Sequence, residues 1–172
     1  QFFSRNPRGG KAKDIVPEDS VALKTLMSEN SFAPILAHAS YTMNLCSADE
    51  KVRGFAKTCL KEDLQKLMLI PCGLYNFHPG SHVGQGVEKG TELISEALNE
   101  AMFPDMTTTV LLETMAGKGS EIGRSFEELR GIIDRVSLNE KIGVCLDTCH
   151  VFDAGYDIVN DLDGVLTKFD KI

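Results

Sequence analysis

Three features that are common in secreted and membrane proteins are missing from this sequence of 172 residues. No run of about 18 apolar residues is present, so the sequence predicts no membrane-spanning helix. No signal peptide is recognisable, although Gln1–Phe3 resembles the end of a strand. The five cysteines are odd in number and form no C-x-x-C pair, which indicates free buried thiols. We therefore expect the protein to reside in a reducing intracellular compartment, which would be the cytoplasm in a bacterium and the nucleus or an organelle in a eukaryote.

Charge is distributed unevenly along the chain, whose formal net charge is −7. Residues 1–14 carry four basic side chains and one acidic one, whereas residues 147–172 carry six aspartates and two lysines. An acidic net charge by itself argues against a nucleic-acid partner. Acidic side chains that bind divalent ions are neutralised by them, however, and the site can then attract phosphate. The negative charge therefore does not exclude DNA.

Short apolar runs alternate with amphipathic helical stretches along the whole chain. Runs that are apolar throughout are typical of parallel strands covered by helices, and the connections between such strands are right-handed. Four complete runs and the end of one more at Gln1–Phe3 are present. The sequence therefore predicts one α/β domain over residues 1–172, the central portion of a TIM-type (β/α)8 barrel with about five strands. An open doubly wound sheet is the alternative.

The boundaries of the predicted helices follow from capping and helix-breaking residues. Two S-x-x-E capping boxes each open a helix, and a proline marks the end of another. The predicted helices cover about residues 19–30, begin at Ser47–Glu50 and at Ser125–Glu128, extend from near Val87 to Pro104, and start again near Asp161.

The length of the chain is short for a closed barrel of this type. Eight-stranded barrels take about 250 residues and rarely fewer than about 200. We therefore expect the natural polypeptide to carry about twenty residues before Gln1 and about a hundred after Ile172. Because five strands leave two unpaired edges and an uncovered interior, residues 1–172 alone are expected to fold poorly and to be inactive.

Four successive apolar runs each end at a side chain that can bind a metal ion. In a parallel barrel the carboxyl ends of all strands meet at one face, so these side chains should converge. One polar residue at a strand end is usually a buried side chain with satisfied hydrogen bonds, whereas four in succession favour a metal site. Imidazoles and carboxylates suit zinc or manganese, and a carboxylate such as Glu113 can bridge two ions. The candidate ligands are His38, His78, Glu113, Asp147 and His150.

Two further side chains near these strand ends receive different interpretations. His82 follows Pro79 and Gly80, which break the geometry that would align it with His78. We therefore expect His82 to support a ligand or to contact a phosphate. Cys145 shares a strand face with Asp147, two residues on, and is expected to point into the barrel interior.

Several motifs closely resemble the endonuclease IV family of apurinic/apyrimidinic (AP) endonucleases. The resemblance extends over essentially the whole chain, in the same order, and its last motif is highly specific. The motifs are His38-Ala39-Ser40-Tyr41, Asn76-Phe77-His78-Pro79-Gly80-Ser81-His82, Glu113-Thr114-Met115-Ala116-Gly117-Lys118-Gly119, and Gly143-Val144-Cys145-Leu146-Asp147-Thr148-Cys149-His150.

The resemblance implies an eight-stranded barrel that holds three zinc ions. His38 and His78 would bind one ion, and Glu113 would bridge it to a second ion shared with Asp147, while His150 would bind the third. An Asp, two His and a Glu complete the ligand set of the family and have no counterpart before Ile172.

The resemblance also implies two DNA contacts. Arg8 and Tyr41 would enter the DNA at the lesion, whereas Thr42 occupies the position at which the family usually has a bulky apolar residue. We expect a monomer whose partner is double-stranded DNA containing abasic sites.

The activity implied is metal-dependent hydrolysis of the phosphodiester 5′ to an abasic site, which leaves a 3′-hydroxyl and a 5′-deoxyribose phosphate. Glu113, as the bridging ligand, would be the catalytic residue. One alternative is a metal-dependent sugar isomerase or epimerase on the same barrel. His38 and His78 argue against it, because one ion that holds a sugar has little use for two further imidazoles. The other alternative is a non-catalytic truncated fragment.

Overall fold

The computed structural model describes all 172 residues and contains one sheet of five parallel strands. None of its helices combines the length and the apolar character that crossing a membrane requires. The strands are β1 (Phe2–Phe3), β2 (Leu36–His38), β3 (Leu74–Phe77), β4 (Thr109–Glu113) and β5 (Ile142–Cys145). The helices are α1 (Pro17–Glu29), α2 (Glu50–Leu67), α3 (Val87–Ala101), α4 (Phe126–Ile133), α5 (Thr148–Asp153) and α6 (Leu162–Phe169), with a 3₁₀ turn at Asn139–Lys141.

The strands lie side by side in sequence order, β1-β2-β3-β4-β5, and every neighbouring pair is parallel. A doubly wound sheet reverses its strand order at a switch point, and no reversal occurs here. Continuous sequential order is the arrangement of a barrel wall. The carboxyl ends of all five strands therefore lie along one edge.

The two faces of the sheet differ in burial. Side chains that point toward the helices, such as Tyr75 and Leu112, are fully buried in a core of 26 residues. Side chains on the opposite face, such as Leu74 and Leu111, are only half-buried. Residues alternate between the faces along each strand, so this second face also carries Glu113 at the end of β4.

One of the two predicted capping boxes differs from the sequence interpretation in the residue that caps its helix. The helix α2 is capped by Asp49, whose carboxylate accepts hydrogen bonds from the backbone N–H groups of the first turn, and not by the predicted Ser47. An aspartate at this position binds two N–H groups at once and carries the charge that a helix N-terminus favours. At the second box Ser125 caps the helix, because its hydroxyl accepts from the Glu128 N–H. The Glu128 carboxylate accepts from the Gly123 and Arg124 N–H groups and not from that of Ser125.

A buried ion pair ties β1 to the helical layer. The Nε and Nη2 atoms of Arg5 donate to Asp63 Oδ1 at 3.0 and 2.7 Å. The other carboxylate oxygen accepts from Ser4 and from Tyr75, each at 2.8 Å. Burial lowers the pKa of Arg5, but its hydrogen bond and charge interaction with Asp63 raise that pKa by more. The pKa of Arg5 therefore lies above the ordinary value for arginine. Arg5 also donates to the Gly10 carbonyl at 2.7 Å, so the same ion pair fixes the loop that follows β1.

We expect Asp63→Ala to lower the free energy of unfolding by about 3–5 kcal/mol, because it leaves the Arg5 guanidinium buried without a counter-charge. Urea denaturation of the gene-encoded polypeptide, meaning the whole polypeptide that the natural gene encodes, would measure the change. The matched control is Glu100→Gln, which removes an exposed ion pair with Lys57 and should cost no more than about 1 kcal/mol. Equal losses for the two variants would contradict this account of the buried pair.

Candidate metal centre

The loops at the carboxyl edge are hydrogen-bonded to one another in sequence order. The Pro7 carbonyl, in the loop after β1, accepts from the Tyr41 N–H and from the Ser40 hydroxyl in the loop after β2. Asn44 then binds the backbone of Ser81, with its amide N–H donating at 2.9 Å and its oxygen accepting at 3.1 Å. The first three loops therefore hold one another in place.

The same pattern continues around the edge to β5. The His82 N–H donates to the Ser120 carbonyl at 2.9 Å, which joins the loops after β3 and β4. The Thr114 hydroxyl accepts from the Asp147 N–H at 2.9 Å, which joins the loops after β4 and β5. Side chains at these strand ends are therefore held by loops that are hydrogen-bonded to their neighbours.

Five side chains meet at this edge and form two groups that could each hold a metal ion. The first group is His38, His78 and Glu113, and the second is Glu113, Asp147 and His150. Within each group the donor atoms all lie within 4.8 Å of one another. The structure thus brings together all five side chains selected from the sequence as candidate ligands.

Glu113 belongs to both groups, and its two oxygens face in different directions. Oε2 lies 3.2 Å from His38 Nε2 and 3.4 Å from His78 Nε2. Oε1 lies 3.4 Å from His150 Nδ1. A carboxylate with one oxygen toward each of two groups has the arrangement of a bridging ligand.

Backbone carbonyls fix the ring orientation of two of the histidines. His38 Nδ1 lies 2.7 Å from the Ala39 carbonyl, and His150 Nδ1 lies 2.8 Å from the Thr114 carbonyl. A carbonyl can only accept, so Nδ1 carries a proton in both rings. His38 Nε2, which faces Glu113, then donates to that carboxylate in the charged ring and offers its lone pair to a metal ion in the neutral ring. A histidine that binds a metal ion is usually held in this way. The donor set therefore fits a divalent ion.

Electrostatic interactions within the cluster keep Glu113 ionised. Burial raises the pKa of its carboxyl, but hydrogen bonds from His38, His78 and Asn76, with the charge of His78, outweigh burial and hold that pKa below its usual range. Burial likewise lowers the pKa of His38, and its hydrogen bonds to Glu113 and to the Ala39 carbonyl raise it overall. An ionised carboxylate is the form that binds a cation.

Tyr41 lies against the first group. Its ring centroid is 5.3 Å from that of His38 and 5.5 Å from that of His78, and the residue is 56% exposed. One side of the ring therefore covers the imidazoles while the rest remains accessible. A cavity of about 330 Å³ next to it is lined by all five candidate ligands.

Arg8 lies on the loop that Arg5 anchors. Its side chain is exposed and makes no hydrogen bond or ion pair, and its backbone N–H donates to Asn6. The loop therefore presents a guanidinium with all its donors unused.

The remaining sequence candidates lie outside the two groups. His82 uses Nδ1 to accept from the Gly86 N–H at 3.1 Å, within the loop after β3. Cys145 is half-buried and lines the cavity. Burial raises the pKa of the Cys145 thiol, and the charges of Glu113 and Asp147 raise it further.

From the sequence, no helix is predicted at the candidate ligands Asp147 and His150. The structure instead starts α5 at Thr148, with Asp147 as the residue that caps it. The Asp147 carboxylate accepts from the His150 N–H at 2.9 Å, which fixes the pair on one helical turn. Aspartate is a favoured residue at a helix N-cap, and Asp147 could therefore have predicted this helix.

Sequence reasoning also missed Asn76, which is 2% exposed and donates to Glu113 Oε2 at 2.6 Å. A signal was available, because Asn76 lies on β3 two residues before the candidate ligand His78, and side chains two residues apart along an extended chain point to the same side.

A parallel sheet in barrel order with ligand-bearing strand ends defines a TIM-barrel protein with a metal site. A family model described as xylose isomerase-like TIM barrel matches residues 1–172. The chain belongs to this family, and the predicted fold class is confirmed.

Named relatives confirm the predicted resemblance to endonuclease IV. The chain is 61% identical over its whole length to a "Probable endonuclease 4" from Alkaliphilus oremlandii and 61% identical to one from Clostridium beijerinckii. It spans 61% and 62% of the lengths of those two proteins.

Solved structures agree with this assignment. Endonuclease IV from Thermus thermophilus superposes with a TM-score of 0.83 at 32% identity, covering 98% of this chain and 60% of that one. A D-tagatose 3-epimerase-like protein superposes with a TM-score of 0.64 at 20% identity, covering 78% of this chain and 52% of that one. The second likeness shows the shared fold alone.

We expect His78→Ala to weaken zinc binding by more than about tenfold, because it removes a donor atom of the first group. The control variant Glu96→Ala, on the exposed side of α3, should leave zinc affinity unchanged, since Glu96 lies outside both groups and away from their loops. Competition with a chromophoric chelator would measure both affinities on the gene-encoded polypeptide. Equal weakening by the two substitutions would show that this assignment of ligands is wrong.

Proposed function

We propose that this chain carries the metal-binding strand ends of a zinc-dependent DNA repair endonuclease. The enzyme hydrolyses the phosphodiester 5′ to an abasic site and leaves a 3′-hydroxyl and a 5′-deoxyribose phosphate. The observation that carries the proposal is the position of Glu113, with one oxygen toward each of two potential metal sites. Hydrolysis of a phosphodiester requires charge stabilisation at both the attacking and the leaving oxygen, and adjacent sites provide it.

The residues of this chain fit divalent ions, with zinc the first candidate and manganese the second. His38 and His78 would hold one ion, Glu113 would bridge it to a second ion that Asp147 would also bind, and His150, whose ring also reaches Glu113, would hold a third. When bound, a divalent ion would supply hydroxide at neutral pH by lowering the pKa of water to about 7, and it would neutralise charge on the phosphate.

The protein groups have complementary roles in this reaction. The Glu113 carboxylate remains ionised because its pKa lies below the usual range, so it acts as a ligand and not as a proton donor. The unused donors of Arg8 and the accessible side of the Tyr41 ring are available to the lesion. His82 supports the loop after β3 or contacts a phosphate.

The geometry favours a nuclease over a sugar isomerase or epimerase. Such an enzyme needs one ion, whereas His38 and His78 here form a group of their own around Glu113. The number of zinc ions bound by the gene-encoded polypeptide separates the candidates: three for the nuclease, one for the sugar enzyme and none for a non-catalytic fragment. The nuclease acts as a monomer on duplex DNA, and the five free cysteines support a reducing compartment.

We expect Glu113→Gln to lower the rate of abasic-site cleavage by about a thousandfold or more, because it removes the charge between the two groups. Affinity for abasic DNA, measured by fluorescence anisotropy, should stay within about threefold, since the DNA-facing side chains are untouched. The matched control is Glu96→Gln on the exposed side of α3, which should cleave at the normal rate. Normal cleavage by the Glu113 variant would refute its role.

We expect Arg8→Ala and Tyr41→Ala each to weaken binding to abasic duplex by about tenfold and to intact duplex by much less. A contact made at the lesion discriminates between the two duplexes, whereas a general phosphate contact weakens both equally. Anisotropy titrations with both duplexes at one salt concentration test this, with Lys24→Ala on α1 as the control for loss of an exposed charge. Parallel losses on the two duplexes would reduce Arg8 and Tyr41 to backbone contacts.

A further inference from the structure

One buried polar side chain in the candidate metal centre belongs to neither ligand group. Asn76 lies on β3 between two neighbours across the sheet, His38 on β2 and Leu111 on β4. It is 2% exposed and lines the same cavity as the candidate ligands. Its amide nitrogen donates to Glu113 Oε2 at 2.6 Å.

The orientation of this amide is fixed by chemistry. If the group were reversed, its oxygen would face a carboxylate oxygen, and two acceptors would then be in contact without a proton. In the orientation present, the Asn76 oxygen is buried and has no hydrogen-bond partner. A buried acceptor without a partner destabilises the fold, and one that persists requires an explanation. The explanation available here is the hydrogen bond made by the other end of the amide.

That hydrogen bond determines which way Glu113 faces. A carboxylate can rotate about its last torsion, since such torsions have broad minima. The Asn76 N–H holds Oε2 on the side of His38 and His78, which leaves Oε1 on the side of His150. The two oxygens are chemically equivalent, so what this donor fixes is the plane of the carboxylate; without it, only the His78 ring would do so from β3 and the loop that follows it.

We propose that Asn76 is a positioning residue, which holds the Glu113 carboxylate in its bridging orientation and thereby couples the two metal-binding groups. The inference rests on the proposed metal-dependent function. Asn76 contributes no metal ligand itself. Outer hydrogen bonds to metal ligands commonly account for tenfold to hundredfold in metal affinity.

The test uses Asn76→Leu in the gene-encoded polypeptide, because leucine has a similar volume and removes both the donor and the unpartnered oxygen. We expect zinc affinity, measured by competition with a chromophoric chelator, to fall by about tenfold to hundredfold. The matched control is Asn99→Leu on α3, whose amide binds the backbone of Arg135 and Ser137 away from the ligand groups. It should leave zinc affinity unchanged.

A double-mutant cycle separates positioning from a general structural role. If Asn76 acts through the Glu113 carboxylate, Asn76→Leu should have little further effect on zinc affinity in the Glu113→Gln background. The same loss in both backgrounds would overturn the inference, and so would an unchanged affinity for Asn76→Leu alone. Failure of the unsubstituted protein to bind zinc would overturn the proposed function as well, so the two failures are distinguishable.

A measurement on the unsubstituted protein covers the case in which the leucine variant does not fold. The side-chain amide protons of Asn76 should give one strongly downfield NMR signal, because a short hydrogen bond to a carboxylate deshields its proton. That signal should shift when zinc is added, since Glu113 then shares its charge with the ion. An ordinary amide shift that zinc does not change would overturn the inference.

Discussion

The burial of one ionised carboxylate governs the arrangement of the whole carboxyl edge. Glu113 is 6% exposed, and a charge that is removed from water needs partners wherever its oxygens point. Imidazoles from β2, from the loop after β3 and from α5 supply these partners, together with the Asn76 amide. Each of these elements must therefore end at the correct height along the sheet.

Parallel strand order makes this convergence possible. Because β1 to β5 are neighbours in sequence order, each strand end lies one strand spacing from the next, and each loop can bind the loop that follows. The bonds from Pro7 to Tyr41 and from Asn44 to Ser81 hold the loops on one side of Glu113. The hydrogen bond that the Asp147 N–H donates to the Thr114 hydroxyl holds them on the other. The site is therefore part of the barrel wall and not an addition to it.

The parts of the fold that could be predicted from sequence are those encoded locally. An apolar run that ends on His38 or Glu113 predicts both a strand and a polar side chain at the carboxyl end of that strand. Neither prediction depends on a residue that is distant in the chain. Likewise, the capping box at Ser125 lies within one helical turn. These features were visible because the residues that specify them are adjacent in the chain.

The parts that could not be predicted depend on contacts between distant residues. In the sequence, Arg5 resembles the other basic residues of an exposed loop. Its burial depends on an ion pair with Asp63, which lies 58 residues later in the chain. Asn76 looks like a polar interruption of an apolar strand until Glu113 accepts its hydrogen bond from 37 residues away. Asp147 was recognised as a candidate ligand, but its second role as a helix cap was hidden by the first.

The Arg5 anchor also affects how Arg8 meets a partner. The loop from Ser4 to Gly10 is closed by the Asn6 N–H, which donates to the Lys11 carbonyl, and by the bond from Arg5 to Gly10. Ordering a loop costs conformational entropy. This loop is already ordered in the folded protein, so binding of a partner would not add that entropy cost. The exposed side chain of Arg8 is therefore carried on a preorganised support, so a contact that it makes does not wait for the loop to become ordered.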